Sequence, residues 1–261
     1  MTELTPIDAA FATMDASDDN ADRLRFYERV ADAELFVLLE KEPEEEDVRP
    51  LLFELEEGPY VLAFDRADRL SAFAEGAAPY VAMSGRILAG MLAERGLGLG
   101  LNLDVAPSAY LLPTEALQWL ADTLSQGPRD ENLRIRELSA PGALPEMLLT
   151  ALDAKLALMG AAADAAFLAR ARYEDDTMGH VLAFVDPAPG AETALSQAAS
   201  EALVFSGLDA GQLDVTFVRA TDAVSAQLAR VALRFDLPQP QDVREERPPP
   251  GSDPDNPPKL R

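Results

Sequence analysis

The stretch Gly58-Pro59-Tyr60-Val61-Leu62-Ala63-Phe64-Asp65 decides the fold. Behind the Gly-Pro punctuation, Tyr60, Leu62 and Phe64 fall on one side of a pleated strand and Val61 and Ala63 on the other. Apolar residues on both sides imply a strand covered on both faces, near the centre of a sheet. The chain runs on through Asp65-Arg66-Ala67-Asp68-Arg69-Leu70. That run predicts a helix over 66–74, with Asp65 as its cap and Asp68 at the third helical position. A second Val-Leu-Ala-Phe at 181–184 puts a similar strand in the other half.

On the N-terminal side, Thr5-Pro6-Ile7-Asp8 reads as a helix start, with a threonine cap, a proline in the first turn and an acid three residues on. Ile7, Ala10, Phe11 and Met14 follow at helical spacing. Asp15 to Asn20 superficially resembles a calcium loop but lacks the glycine and the glutamate that such a loop requires. Asp18, Asp19 or Asn20 instead caps a second helix, which runs to about Ala31. Leu35–Leu39 is a first strand, and Glu40 to Asp47 a charged loop. Leu51–Leu55 pairs with Tyr60–Phe64 as a hairpin.

Beyond the helix at 66–74, Pro79–Met83 is a short strand. Ser84 caps a helix with Ile87, Leu88, Met91 and Leu92 turned inward. It ends at Gly96, and Gly98-Leu99-Gly100-Leu101 follows. These glycines lead from helix into strand, the reverse of a dinucleotide fingerprint. They describe a strand with one bare face, closely covered by protein or, in a second reading, by a flat ligand. Pro113-Thr114-Glu115 opens a helix with Leu117, Leu120, Ala121 and Leu124 inward. At 100° per residue Trp119 lies on the opposite face, beside Glu115 and Asp122, and is read as covering the C-terminal half or another chain or, in a second reading, as a partly exposed ring lying on its own helix.

Gln126-Gly127-Pro128 marks a boundary. Leu133–Arg136 alternates like a strand, Leu144–Leu158 is helical, and Ala165–Tyr173 and His180–Val185 are strands. A helix over 192–205, a strand over 213–218 and a helix over 222–234 follow. Both halves share the order strand, strand, helix, strand, helix. The fold class is therefore α+β, with two domains (1–125 and 144–237), each a mixed sheet packed with helices, a linker at 126–143, and a proline-rich tail at 238–261 read as disordered.

The chain's net charge of −24 disfavours nucleic acid and anionic membranes as partners. It has no cysteine, which excludes thiolate chemistry and cysteine metal sites and fits a cytoplasmic location. The first residues carry acids and no basic region, unlike a signal peptide. His180 is the only histidine, and no G-x-S-x-G elbow accompanies it, so a serine-hydrolase triad and a zinc site are both disfavoured. No phosphate loop precedes any lysine. No cofactor, metal or catalytic residue is expected.

Several features together resemble the SseB family. They are Arg25-Phe26-Tyr27 with Leu35-Phe36-Val37, Val61-Leu62-Ala63-Phe64 with Leu70, Leu101-Asn102, and Thr114-Glu115-Ala116-Leu117. The region from Leu144 to Phe235 is similar to that family's smaller C-terminal domain. Asp104 departs from the family, many of whose members have an asparagine-proline pair here, and the tail extends past the usual end. The family is named for a serine-sensitivity phenotype, and the resemblance implies no catalytic residues.

This reading favours a non-catalytic cytosolic interaction or regulatory protein with a protein partner, and it leaves room for self-association. The alternative is a small-molecule or amino-acid binding protein, or an enzyme, with a cleft near the Gly98–Asn102 strand. The binding candidates are Tyr60, Asp65 and Asn102, at strand ends or beside the bare face, and Trp119.

Overall fold

The computed structural model describes residues 4–42, 49–55, 58–125, 134–207 and 213–238. Helices α1 (Pro6–Asp15) and α2 (Asn20–Asp32) precede strands β1 (Glu34–Leu38), β2 (Leu52–Leu55) and β3 (Gly58–Phe64). Then come α3 (Ala67–Phe73), β4 (Tyr80–Ser84), α4 (Gly85–Arg95), β5 (Gly98–Leu101), β6 (Tyr110–Leu112) and α5 (Thr114–Ser125). The second half runs β7 (Ile135–Ser139), α6 (Glu146–Ala157), β8 (Ala165–Tyr173), β9 (Met178–Val185), α7 (Glu192–Phe205), β10 (Leu213–Val218), α8 (Ala223–Val231) and β11 (Leu233–Asp236).

The first sheet has the order β4-β1-β3-β5-β6, with β2 also on β3; the second has β10-β9-β8-β11, with β7 also on β8. In each sheet two short strands share one edge of a longer one. Phe36 of β1 lies opposite Phe64, while Leu52 of β2 lies opposite Val61. Likewise β11 pairs with the start of β8 and β7 with its end. Each Val-Leu-Ala-Phe strand also has a parallel neighbour, β5 for β3 and β10 for β9.

The alternation in β3 sorts as its side chains require. Val61 and Ala63 enter a core shared with α1, α2, α4 and α5, while Leu62 and Phe64 enter a second core beneath α3. The second sheet has the same plan, with α6 and α7 over one face and α8 over the other. The α+β reading with two helix-packed mixed sheets holds. The first core also contains Phe205, from the end of α7. A side chain of the C-terminal half thus fills the N-terminal core.

Helix α1 has the capping box expected of it: the Asp8 amide donates to the Thr5 hydroxyl, and the Thr5 amide to the Asp8 carboxylate. Asp19 supplies the cap of α2.

Three expectations are corrected. Asp65 does not cap α3; Arg66 stands at that position with no side-chain bond, and the Asp65 carboxylate is taken up by Arg69 and Thr5. Charge-assisted bonds to a guanidinium outcompete a neutral amide for that carboxylate. The buried face of α4 is Leu88, Ala89, Leu92 and Ala93, which leaves Ile87 57% exposed. Gly85 fixes this rotation, since a Cβ there would overlap the Val30 carbonyl and come within 3.2 Å of the Ala31 Cα. The last helix stops at Val231, and Leu233–Asp236 forms β11 on β8. Leu233-Arg234-Phe235-Asp236 alternates with a period of two, and Phe235 is the buried member.

Residues 135–139, within the segment read as a linker, form β7 of the second sheet. Pro238 belongs to the fold, since its carbonyl accepts from the Ala161 amide at 2.9 Å. Most of the charged loop at 40–47, the Gln126–Pro128 boundary and the tail from 239 lie outside the described residues.

Candidate functional site

The parallel strands β3 and β5 end side by side, where α/β proteins gather ligands. Leu101 leads into Asn102, whose φ of 52° lies in the left-handed region that asparagine tolerates best among non-glycine residues. This turns the Asn102 side chain back across the strand ends. Its Oδ1 accepts from the Asp65 amide at 3.1 Å, and its Nδ2 donates to Ser108 Oγ at 2.9 Å.

Ser108 donates to Asp8 Oδ1 at 2.6 Å. Arg69 reaches from α3 into the same space, donating to Asp8 at 2.5 and 3.0 Å and to Asp65 at 2.8 Å. The Thr5 hydroxyl donates to the other Asp65 oxygen at 2.6 Å. Asp65, Asn102, Ser108, Asp8 and Arg69 therefore close a ring of hydrogen bonds. The side chains of Asp8, Asp65 and Arg69 are all buried, as are Asn102 and Ser108.

Burial pushes the Asp8 carboxyl up, but bonds from Arg69, Ser108 and the Thr5 amide outweigh that and hold it at about 2. The start of α1 is thus tied into the crevice by charged bonds. Two expected site residues, Asp65 and Asn102, meet here. Arg69 and Ser108 join them from 4 and 6 positions away, and both also bond Asp8, 61 and 100 positions distant, a meeting that no sequence spacing indicates.

Tyr60 lies at the other end of β3. It is buried, and its ring occupies the space a Cβ on Gly98 would need. Leu62 and Leu103 do the same at Gly100, within 2.6 and 2.9 Å of that Cβ position. The bare face of β5 is therefore covered by side chains of its parallel neighbour and of the following turn.

Trp119 is 38% exposed. Its ring meets Tyr27 of α2 at 6.0 Å and, edge to face, Phe205 of α7 at 6.1 Å. It thus sits where the two halves meet. Around it opens a groove of about 410 Å³ whose walls include Arg23, Leu24 and Tyr27 of α2, Ala116 of α5 and Val204 of α7.

Residues 7–119 match the family model of the SseB protein N-terminal domain. This part of the chain is thus similar to an SseB N-terminal domain. The SseB match holds the whole polar ring apart from Thr5 and ends at Trp119, at the edge of the groove. No curated protein and no solved structure matches this chain.

Behind the groove lies a buried ionic junction. Lys155 of α6 donates to both Asp32 oxygens at 2.6 and 2.8 Å and stands 3.0 Å from Glu201 of α7. Arg86 of α4 donates to both Glu201 oxygens, and Gln197 donates to Glu201 and to the Leu124 carbonyl. Burial raises the Glu201 carboxyl, yet Arg86, Lys155 and Gln197 together hold it at about 2. Glu28, also buried, lies 3.6 Å from Lys155. Among the described residues no group of three or more His, Asp or Glu is arranged to hold a metal ion, and no helix is long and apolar enough to cross a membrane. In the second sheet Tyr173 donates to Asp214, and burial followed by that neighbour raises its hydroxyl well above the usual range.

Proposed function

We propose that this protein is a non-catalytic interaction or regulatory protein that engages a protein partner through the Trp119 groove. One contrast carries the reading. Where the fold would gather a ligand, at the ends of β3 and β5, the polar side chains bond to one another and α1 fills the space. At the groove, by contrast, a large aromatic ring faces outward beside Leu24, Ala116 and Val204. Half-exposed tryptophans backed by rigid aromatic neighbours are typical anchors of protein interfaces.

The same reading places the protein in the cytoplasm, takes the C-terminal half as an SseB-like C-terminal domain, and allows pairing of two copies. The net charge of −24 weighs against nucleic acid and membrane partners. His180, whose ring nitrogen lies 3.1 Å from the Pro141 carbonyl, is assigned a structural role.

The rival is a small-molecule or amino-acid binding protein, or an enzyme, working beside Gly98–Asn102. The filling of that face by Tyr60, Leu62 and Leu103 weighs against it. Affinity purification from the native host, with proteins and metabolites both identified by mass spectrometry, separates the two. The proposal expects a protein retained by the unsubstituted chain and lost with Val204→Asp. A co-purifying metabolite lost with Asn102→Ala and kept with Val204→Asp would favour the rival.

A further inference from the structure

The junction between the halves holds more negative groups than positive ones. Three carboxylates, Glu28, Asp32 and Glu201, meet two cations, Arg86 and Lys155. The ammonium of Lys155 has three donors, and the two Asp32 oxygens and Glu201 stand within 3.0 Å of it. Arg86 is directed at Glu201, with Asp32 at 3.5 Å. Glu28 is the carboxylate left over. Its Oε1 is buried and has no hydrogen-bond partner among the described residues.

A buried carboxylate oxygen with no hydrogen bond, and with an ammonium at 3.6 Å that it shares with two other carboxylates, is costly, and the simplest relief is a proton. We propose that the joint between the two halves is proton-linked, with Glu28 taking up a proton when α2 closes against α6 and α7 and releasing it when they part.

The groups facing Glu28 are Asp32 and Arg29 on its own helix, Lys155 from α6 and, across Lys155, Glu201 from α7 and Arg86 from α4. Burial pushes its carboxyl up; Lys155 and Arg29 offset this in part, and Asp32 adds to the rise. With the closed-state value above the ordinary 4.5, closure is fully favoured below that value and weakens as pH rises through the raised one. Glu201, held at about 2, stays charged throughout that range. The groove shares α2 and α7 with the joint, and Tyr27, which lines it, precedes Glu28 in the chain. The protonation state of Glu28 is therefore coupled to the groove through its neighbour Tyr27 on α2, whatever the groove binds.

The test is a pH titration of the full-length protein that follows the Glu28 side-chain carboxyl by carbon NMR and Trp119 by its emission. The expected result is a Glu28 midpoint above 4.5 and a red shift of Trp119 emission with the same midpoint, the emission change being lost in Glu28→Gln. A Glu28 midpoint at or below 4.5 in the unsubstituted protein would overturn the proposal without reliance on the variant. So would a Trp119 transition that persists in Glu28→Gln, which would assign it to another group.

Discussion

Arg86 and Glu201, 115 positions apart in sequence, join the two halves through paired hydrogen bonds of 2.6 and 2.8 Å. The pair is bidentate, and Glu201 is buried, although Arg86 is partly open to solvent. Glu201→Gln removes the buried carboxylate shared by Arg86 and Lys155, ending the bidentate pair with Arg86 and leaving Lys155 with Asp32 and Glu28. Breaking a buried pair from one side costs about 3 kcal/mol. The expected outcome is a lower urea midpoint with the same fold by circular dichroism.

Asp8 makes stability depend on acid. Its folded carboxyl sits at about 2 against an ordinary 3.8, so its contribution is complete above 3.8 and is lost as pH falls through about 2. A shift of this size corresponds to roughly 2 kcal/mol. Thermal melts between pH 5 and 2 should show this loss, and Asp8→Asn should be less stable at neutral pH and flatter across that range.

Gly98→Val puts a branched side chain where the Tyr60 ring lies. The ring is buried. Overpacking of this kind costs roughly 1–3 kcal/mol. Differential scanning calorimetry should record a clear fall in melting temperature; an unchanged value would mean that the β5 face is open.

Phe205→Ala empties a position that α7 fills in the core of the N-terminal half. Loss of a buried phenylalanine costs about 3–5 kcal/mol. Because the Phe205 ring supports Trp119 edge to face, the emission of the single tryptophan should also shift to the red. Destabilisation without that shift would separate Trp119 from the joint.

Local rules made much of this architecture legible. Two-sided apolar alternation found β3, and the Thr5-Pro6-Ile7-Asp8 cap found α1, because those signals arise from neighbours in the chain. The bare glycines announced close covering of β5, but not that Tyr60 and Leu62 supply it, since strand pairing is a tertiary fact. Helical spacing places Ile87 inward because it gives a stripe but not its rotation, which the Gly85–Val30 contact sets. Of the polar ring, Asp65 and Asn102 were visible at strand ends, whereas Asp8 read only as part of a cap. Arg69 and Ser108 carry no site signal, because what joins them is Asp8, 61 and 100 residues distant. Glu28 and Lys155 were likewise silent among so many charges.

We propose that the Trp119 groove recognises a protein. A single tryptophan makes this directly measurable, since biosynthetic 5-fluorotryptophan gives a chain with one fluorine probe, at position 119. The labelled full-length protein is mixed in turn with the macromolecular and the small-molecule fractions of a host extract. The fluorine resonance is expected to shift or broaden with the macromolecular fraction only, and the change to be lost in Val204→Asp. A resonance that responds to the small-molecule fraction alone, or to neither, would contradict it.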